Sequence, residues 1–423
     1  MYSSEKSRYY LVDCNQFYVS CEQVFSPKLK GKSVVVLSSN DGCVVARSKE
    51  AKALGVPMGA PAYQCEKLFK EGKVHVLSSN YALYGDMSQR VMHVLSRFSP
   101  QFQEYSIDEA FLKISAEDPL ACAKEIKSTV LQWTGIPVSI GIGPTKTLSK
   151  VANDIAKKKS REGIFAFFDD AHTDAILQQL PVEEIWGIGK HLSNALHRAS
   201  IHHAKALKDA DDGWLKARFS VAVQRIACEL RGICCLPFDE VPMPRKSVTC
   251  SRSFGKNVST LPLLEEALSA YTTIVAEKLR LEELLPSFVT IFLMTSPFVP
   301  NPYHQSITIE LEEPTAFTPD LISTAKKALR KIFRKGYEYK KTGITMGGLV
   351  PQKNYQPGLF TEQGPRKEKK ARAMQTLDAL NERMGKQTLR FAAEGIEQPW
   401  KMKQGKISQK FTTCWEELLN IKI

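Results

Sequence analysis

Three acidic residues stand where their carboxylates could hold metal ions. Asp13 directly follows an apolar run at residues 9–12, and Asp108 and Glu109 form an adjacent pair between two further apolar stretches. Carboxylate oxygens are hard ligands of the kind that Mg²⁺ prefers, and two such ions can promote phosphoryl transfer. Any one of these acids could equally be a turn residue or a helix cap. The metal-site interpretation therefore requires a fold that brings all three together.

The apolar periodicity around these acids predicts an alternating order of strands and helices. Strands are predicted at residues 9–12, 102–107, 110–114 and 138–142, and helices at residues 81–98, 120–133 and 145–157. The order strand, helix, strand, strand, helix, strand is that of a ferredoxin-like fold, whose first and third strands are neighbours in the sheet. Asp13 ends the first strand, and the Asp108–Glu109 pair leads into the third. We therefore expect the three acids to meet at one end of the sheet.

The remaining segments predict an α+β protein of several domains. The insertion at residues 25–77 is long enough for a small subdomain, with strands at 33–37 and 74–77 and helices at 46–54 and 62–70. A helical region is predicted from residue 170, and a region of mixed strands and helices follows residue 241. Residues 351–372 are polar and contain Gly and Pro, which is typical of a linker. A hydrophobic pattern returns in residues 373–423, which predicts a small C-terminal module.

Composition favours a polyanionic partner. Lys and Arg number 58 against 45 Asp and Glu, a net charge of +13, so nucleic acid is the favoured partner, although many basic proteins bind none. No run of about 18 apolar residues is present, so we expect no membrane span. The 10 cysteines include no CxxC pair and the 8 histidines show no metal-binding spacing, which disfavours zinc chemistry. Scattered cysteines are typical of a reduced, cytoplasmic protein.

Two segments resemble the metal-binding motifs of a known enzyme family. SIDEAF at residues 106–111 and LVDCNQFYVSCE at residues 11–22 are similar to those of the Y-family translesion DNA polymerases. The similarity extends along nearly the whole chain and is strongest to UmuC-type members of the family. It is carried further by residues 40–59, 78–91, 141–153 and 250–256. The resemblance implies error-prone, mutagenic synthesis opposite damaged template bases during an SOS-type response to DNA damage. Its substrates would be primer–template DNA, including damaged DNA, and deoxynucleoside triphosphates.

The resemblance also implies a domain plan. It comprises a ferredoxin-like palm at 1–24 and 78–169, small fingers at 25–77, a helical helix-hairpin-helix thumb at 170–240, an α/β little finger at 241–350, a linker with a clamp-binding motif at 351–372, and a C-terminal UmuC-type module at 373–423.

The family pattern implies a role for each acid. Asp13 and Asp108 would bridge two Mg²⁺ ions, and Glu109 would bind the catalytic ion. The backbone carbonyl of Cys14 would complete the ligands of the ion on the nucleotide side.

The same resemblance implies three nucleotide-binding residues. Tyr18 falls at the steric-gate position, where an aromatic ring clashes with a ribose 2′-hydroxyl, although a core aromatic is the alternative. Lys52 and Lys157 match positions that bind the triphosphate. Lys49 departs from the family pattern, and Arg47 is an equally plausible phosphate contact. A solvated helix face is the common alternative for each lysine.

Predicted DNA contacts lie in two regions. Gly187, Gly189 and Lys190 resemble a helix-hairpin-helix turn, in which glycines let the backbone approach a phosphate. Arg252 is the chosen contact in the little finger. Other basic residues near it are similar candidates, and each could equally be an ordinary surface residue: Arg245, Lys246 and Lys256.

The C-terminal part implies protein partners. Gln356, Leu359 and Phe360 resemble the short motif by which bacterial polymerases bind the sliding clamp. The chain extends well beyond that motif, as UmuC-type proteins do. This extension implies a contact with a processed UmuD-type homodimer and with a RecA filament, and an association with the nucleoid when the enzyme is active. Its excess of basic residues could equally contact DNA.

Two other functions compete with this interpretation. A single-subunit bypass polymerase would need no accessory dimer. A non-catalytic DNA-binding checkpoint subunit would retain the fold without the chemistry, although the intact acids and Tyr18 argue against that. A nucleotidyl cyclase with the same palm is disfavoured by the regions that resemble a thumb and a little finger.

Overall fold

Residues 7–238, 244–356 and 365–418 are described in a computed structural model. The chain divides into two units, each with its own sheets and apolar core. The first unit contains residues 1–38, 42–241 and 406–423, and the second contains residues 39–41 and 242–405.

The first unit contains eight described strands and eleven described α-helices. The strands are β1 (Arg8–Cys14), β2 (Val34–Leu37), β3 (Val44–Arg47), β4 (His75–Ser78), β5 (Phe102–Glu104), β6 (Glu109–Ile114), β7 (Val138–Gly143) and β8 (Ile164–Ala166). The helices are α1 (Phe17–Phe25), α2 (Lys49–Ala53), α3 (Glu66–Lys70), α4 (Tyr81–Ser96), α5 (Pro119–Thr134), α6 (Lys146–Lys159), α7 (Asp170–Gln179), α8 (Lys190–Arg198), α9 (Ala204–Asp209), α10 (Asp212–Arg218) and α11 (Val221–Leu230).

The palm sheet has the order β5-β6-β1-β7-β8. Strand β1 is the central strand and pairs antiparallel with both β6 and β7, so its nearly continuous apolar sequence is buried. Helix α5 begins after Asp118, whose carboxylate accepts hydrogen bonds from the next turn, and ends at Gly135 with φ 72°. The adjacency of the first and third predicted strands, β1 and β6, is confirmed, as is the ferredoxin-like order.

The insertion after α1 forms a small three-stranded sheet with the order β3-β2-β4. The predicted helix at residues 46–54 is wrong in its first part, because Ala46 and Arg47 end β3. The β-branched pair Val44 and Val45 before them favours a strand. Helix α2 begins only after Ser48, whose hydroxyl accepts a hydrogen bond from Ala51 N. The predicted domain boundaries at 24/25 and 77/78 fall inside α1 and β4, each one residue from its end.

Helices α7 to α11 have a separate apolar core in the first unit. Leu177, Leu196, Leu207, Leu215 and Leu230 are fully buried in it. The helices are short and are joined by short turns. The segment is therefore helical, as the sequence predicts for this region.

The second unit is built on an antiparallel sheet covered by helices. Its strands are β9 (Ser247–Val258), β10 (Leu284–Leu285), β11 (Phe288–Thr295), β12 (His304–Glu310), β13 (Tyr339–Gly347) and β14 (Val350–Pro351), and its helices are α12 (Leu261–Leu281), α13 (Thr318–Ile332) and α14 (Pro365–Met384). The main sheet has the order β12-β11-β13-β9. Strand β11 alternates between buried and partly exposed residues, as expected for a sheet with one covered face.

The C-terminal stretch differs from its prediction. Helix α14 begins at residue 365, so the predicted boundary between linker and module at 372/373 lies inside it. Asp378 on α14 pairs with Arg280 on α12 through two hydrogen bonds of 2.6 and 2.7 Å. Trp400 is buried in the core of the second unit, whereas Phe411 is buried in the core of the first. The predicted single module is therefore divided between the two units, because its apolar anchors fill separate cores.

No helix in the described ranges is long and apolar enough to cross a bilayer.

Candidate active site

The register of the palm sheet brings the three acids together. Asp13 and Glu109 are directly paired residues of β1 and β6. Cys14 N donates a 2.8 Å hydrogen bond to the backbone oxygen of Asp108. The acids therefore meet at one end of the sheet, as the strand order predicts.

A tight turn before β6 orients Asp108. The Ser106 hydroxyl donates to Asp108 Oδ1 at 2.7 Å and accepts from the backbone N–H of Glu109 at 3.1 Å. Ser88 on α4 donates to the Ile107 carbonyl at 2.6 Å and ties the turn to that helix. The first residue of the SIDEAF motif thus positions the acid two residues later. Ser106 is not among the predicted site residues, although a serine two residues before an aspartate is a signal for such a turn.

Asp13 is a buried carboxyl group with a cationic partner. It is only 5% exposed, and Lys157 Nζ lies 2.5 Å from its Oδ2. Burial raises the pKa of Asp13 to about 7; Lys157 acts against this rise, and Glu109 adds to it. A further positive charge beside this carboxyl group would favour its ionised form and lower its pKa.

Glu109 has a second lysine as its partner. Lys150 Nζ lies 3.2 and 3.0 Å from the two carboxylate oxygens of Glu109. The sequence pattern alone does not pair Lys150 with an acid. Residues 150 and 157 are two turns apart on α6, so this helix neutralises both acids.

The donor atoms at this end of the sheet suit a divalent cation. Three carboxylates and the Cys14 carbonyl provide only oxygen ligands, which match the preference of Mg²⁺. In the described ranges, no set of three or more His, Cys, Asp or Glu side chains is already arranged around a common metal position. Lys157 and Lys150 instead supply the positive charge. These residues therefore fit Mg²⁺ in the chemistry of their oxygen atoms and in lying close together.

A cleft of about 600 Å³ adjoins the acids. It is lined by two of the acids and by every predicted nucleotide-binding residue, namely Asp13, Cys14, Tyr18, Lys52, Asp108 and Lys157. Glu109 is not among the residues that line it. The fold thus gathers residues from the palm, the insertion and α6 around one opening.

Four further cations line the cleft, of which Arg47 was named from the sequence as a plausible phosphate contact. Arg47 and Lys49 come from the insertion, and Lys127 and Arg161 come from the palm. Burial lowers the pKa of Lys127, which makes its ammonium group sensitive to an added negative charge. These cations face the cleft next to the acids, and this arrangement suits a polyanion bridged to the acids by metal ions. Single lysines carry no sequence signal that separates them from surface residues.

The ring of Tyr18 rests on an aromatic support. It stacks on Tyr84 of α4, with ring centres 4.4 Å apart and planes 12° apart, and Tyr81 meets it edge-on at 6.1 Å. Tyr84 is fully buried, whereas Tyr18 is half-buried and lines the cleft. The spacing of Tyr81 and Tyr84 on one helix face was a usable signal for this support.

The predicted glycine turn lies directly before α8 in the helical region. Gly187 has φ 92°, and a Cβ there would lie 2.9 Å from Ile226 Cδ1, so a larger residue would be strained and crowded. Gly189 directly precedes α8, and Lys190 is the exposed first residue of that helix. Arg252 is exposed on β9 of the second unit. Gln356 is exposed, while Leu359 and Phe360 lie outside the described residues.

Comparisons with known proteins identify the family of this chain. The profile of the impB/mucB/samB family matches residues 12–154, and the profile of that family's C-terminal domain matches residues 245–359. The chain is 41% identical to Protein ImpB of Salmonella typhimurium over 96% of this chain and 98% of that protein. It is 40% identical to Protein UmuC of Salmonella typhimurium strain LT2 over 97% of this chain and 99% of that protein.

The chain belongs to the impB/mucB/samB family. Its fold is that of a Y-family polymerase: a Y-family DNA polymerase chimera of Dbh and Dpo4 aligns with a TM-score of 0.66 and 20% identity, covering 81% of this chain and 99% of that one. As an impB/mucB/samB member with this fold, the chain is a subunit of an error-prone translesion DNA polymerase and a DNA-directed DNA polymerase. The substrates of a DNA-directed DNA polymerase are DNA and deoxynucleoside triphosphates, and phosphoryl transfer of this class needs divalent metal ions. A third profile, a domain of unknown function, matches residues 371–421.

Proposed function

We propose that this chain adds deoxynucleotides opposite damaged template bases, with chemistry at Asp13, Asp108 and Glu109. The observation that carries the proposal is the convergence of the three acids beside a cleft lined with cations. The three carboxylates and the Cys14 carbonyl would hold two Mg²⁺ ions. When bound, such ions polarise the phosphoryl group and lower the pKa of the attacking hydroxyl.

The cations of the cleft would bind the triphosphate. Lys157 pairs with Asp13, yet its side chain is 35% exposed, so its ammonium group can also reach an anion in the cleft. Lys52 and Arg47 line the same opening from the insertion. Positive charge from two sides would hold the phosphates in line with the primer terminus, and orientation of this kind supplies much of the rate enhancement in phosphoryl transfer.

Tyr18 would select the sugar. Its ring lines the cleft and is backed by Tyr84, so it cannot easily retreat from an added 2′-hydroxyl. A Tyr18→Ala variant should incorporate ribonucleotides more readily while retaining synthesis with deoxynucleotides. Unchanged sugar discrimination in primer extension would contradict this role.

Primer extension across an abasic site tests the proposed chemistry. Full-length wild type should extend the primer in the presence of Mg²⁺, and Asp108→Ala should not. Glu117→Ala is the matched control, because Glu117 is an exposed acid of the same unit that does not line the cleft. Reactions with and without an accessory dimer and a RecA filament separate an accessory-dependent enzyme from a single-subunit bypass polymerase. If wild type shows no synthesis in either set, the chain is a non-catalytic subunit.

We also propose contacts with protein partners. Gln356, Leu359 and Phe360 would bind the sliding clamp, and the segment beyond them would contact a processed UmuD-type homodimer and a RecA filament. Deleting residues 356–360 should abolish stimulation by the clamp and leave basal extension unchanged. With these partners, the protein would act in the cytoplasm, at the nucleoid when it is active.

The turn glycines and Arg252 would contact DNA. Gly187 and Gly189 would let the backbone before Lys190 approach a phosphate, and α8 would direct its positive end towards it. Arg252 would contact the duplex from the second unit. Such contacts hold the duplex without reading its sequence, which suits an enzyme that must accept many templates.

A further inference from the structure

The C-terminal residues 406–411, here called the tail segment, form part of the palm and its insertion. Ser78 of β4 and Lys406 exchange two hydrogen bonds of 2.9 Å, through both backbone and side-chain atoms of Ser78. Phe411 is 7% exposed and stacks on Phe25 of α1, with ring centres 4.9 Å apart and planes 5° apart. The tail segment is therefore fixed at both ends within the first unit.

Between these two anchors, Ser408 contacts a buried acid. The Ser408 hydroxyl donates a 3.0 Å hydrogen bond to Oε1 of Glu22. The same oxygen accepts a 2.7 Å hydrogen bond from the hydroxyl of Tyr84. Glu22 is only 1% exposed, so these two hydroxyl groups replace water at that oxygen atom.

Ser408 also contacts the helix that carries Tyr84. Asn80 Nδ2 donates to the carbonyl and the hydroxyl of Ser408 at 3.3 and 3.0 Å, and to the carbonyl of Gln409 at 3.0 Å. The Oδ1 atom of Asn80 accepts from Leu83 N and caps the start of α4. The tail segment therefore holds the end of α4 at which Tyr81 and Tyr84 lie.

These contacts converge on the ring of Tyr18. Glu22 lies four residues after Tyr18 on α1, so both side chains project from one face of that helix. Tyr84 of α4 stacks on the Tyr18 ring. Ser408 thus joins the helix that carries Tyr18 to the helix that supports its ring.

We propose that Ser408 is a positioning residue for Tyr18 and that, through Glu22, Asn80 and Tyr84, the tail segment sets how strictly the enzyme excludes ribonucleotides. This inference rests on the proposed role of Tyr18 in sugar discrimination. It gives a function to part of the domain of unknown function that matches residues 371–421. The tail segment would affect sugar selection by fixing the position of the Tyr18 ring, without contacting the substrate.

The test compares kcat/KM for a deoxynucleotide and the matching ribonucleotide on an undamaged template. Full-length variants are used, with any accessory proteins that wild type needs for synthesis. Ser408→Ala should lower the preference for deoxynucleotides about 3- to 10-fold, the size expected from the loss of one hydrogen bond. The change should lie mainly in KM for the ribonucleotide. Ser408→Thr retains the hydroxyl and should restore the preference.

Three further variants separate positioning from stability. Thr413→Ala removes an exposed hydroxyl nearby and should keep the wild-type preference. Tyr84→Phe keeps the stacked ring and removes only the hydroxyl that binds Glu22, so it tests the same route if Ser408→Ala does not fold. In a Tyr18→Ala background, Ser408→Ala should have no additional effect on the preference.

The outcomes are distinguishable. If Tyr18→Ala relaxes sugar discrimination while Ser408→Ala and Tyr84→Phe match wild type, the positioning role is overturned and the proposed role of Tyr18 stands. If Tyr18→Ala itself leaves discrimination unchanged, the steric-gate role fails and this inference fails with it. A lowered preference in Ser408→Ala that Ser408→Thr does not restore also contradicts the assignment.

Discussion

The acidic end of the palm sheet and the tail segment hold their side chains in different ways. Asp13 and Glu109 are placed by the register of two paired strands, in which backbone hydrogen bonds determine which residues face each other. Ser408 lies outside any helix or strand and is placed by individual side-chain hydrogen bonds. Strand pairing leaves a readable pattern in the sequence, whereas isolated side-chain contacts leave almost none.

The two regions also differ in the groups that surround their buried carboxyl groups. Asp13 pairs with a lysine, Lys157, at a cleft whose other cations suit a polyanion. Glu22 accepts hydrogen bonds from the hydroxyl groups of Tyr84 and Ser408. Burial raises the pKa of both carboxyl groups. The first arrangement suits binding and chemistry, and the second suits a fixed structural link.

The largest effect is expected when one of the acids at the end of the palm sheet is changed. Asp13→Asn should lower kcat roughly 10³-fold or more, because loss of a metal ligand removes several kcal/mol of transition-state stabilisation. Primer extension with Mg²⁺ measures this effect. Near wild-type synthesis would contradict the metal-binding role of Asp13.

Thermal unfolding of the same variant in EDTA provides the control. Because the folded pKa of Asp13 is raised to about 7, the folded state holds a proton more tightly than the unfolded state. Wild type should therefore lose stability as pH rises from about 4 towards 7. An asparagine side chain does not ionise, so the variant does not lose stability in this way as the pH rises. Asp13→Asn should therefore be at least as stable as wild type at pH 8. A lower unfolding temperature at pH 8 would make Asp13 a structural residue.

The second prediction concerns the anchor of the tail segment. Phe411→Ala should lower the free energy of unfolding by about 3–5 kcal/mol, because it leaves a cavity in the core of the first unit. Denaturant unfolding measures the change. Trp415→Ala is the control, since Trp415 is 85% exposed. Equal stability of both variants would mean that the tail segment contributes no packing to the first unit.

The third prediction returns to the cleft. Lys157→Ala should raise KM for the incoming nucleotide about 10- to 100-fold, the effect of losing a charge-assisted hydrogen bond. Lys159→Ala changes an exposed lysine that does not line the cleft and should leave KM unchanged. Steady-state single-nucleotide insertion measures both. Similar values for the two variants would remove Lys157 from the nucleotide site.

The smallest effect is expected in the helical region. Lys190→Ala should weaken binding of primer–template DNA a few-fold and reduce the salt dependence of binding by about one phosphate contact. Lys216→Ala, an exposed lysine on α10, is the control. Fluorescence anisotropy at several salt concentrations gives the slopes. An unchanged slope for Lys190→Ala would exclude this residue from the interface.

The sequence predicted the palm well because its signals are local. Helices α4, α5 and α6 and the adjacency of β1 and β6 follow from apolar periodicity and from the order of elements. Prediction failed at residues 46–47, which were predicted to start a helix but end β3, because they pair with β2. It also failed at residues 365–372, where a polar, basic composition typical of a linker forms the start of α14.

The sequence by itself indicated the residues that we propose for the chemistry and the order of the elements that hold them. Asp13, Asp108, Glu109 and Tyr18 stand in short motifs, and neighbours in sequence share one strand, helix or turn. Only the tertiary structure decided that Lys157 neutralises Asp13, that Tyr84 supports Tyr18 and that Ser408 links their helices. These contacts join residues far apart in the chain. They depend on how whole surfaces pack, and no local preference of a side chain encodes that.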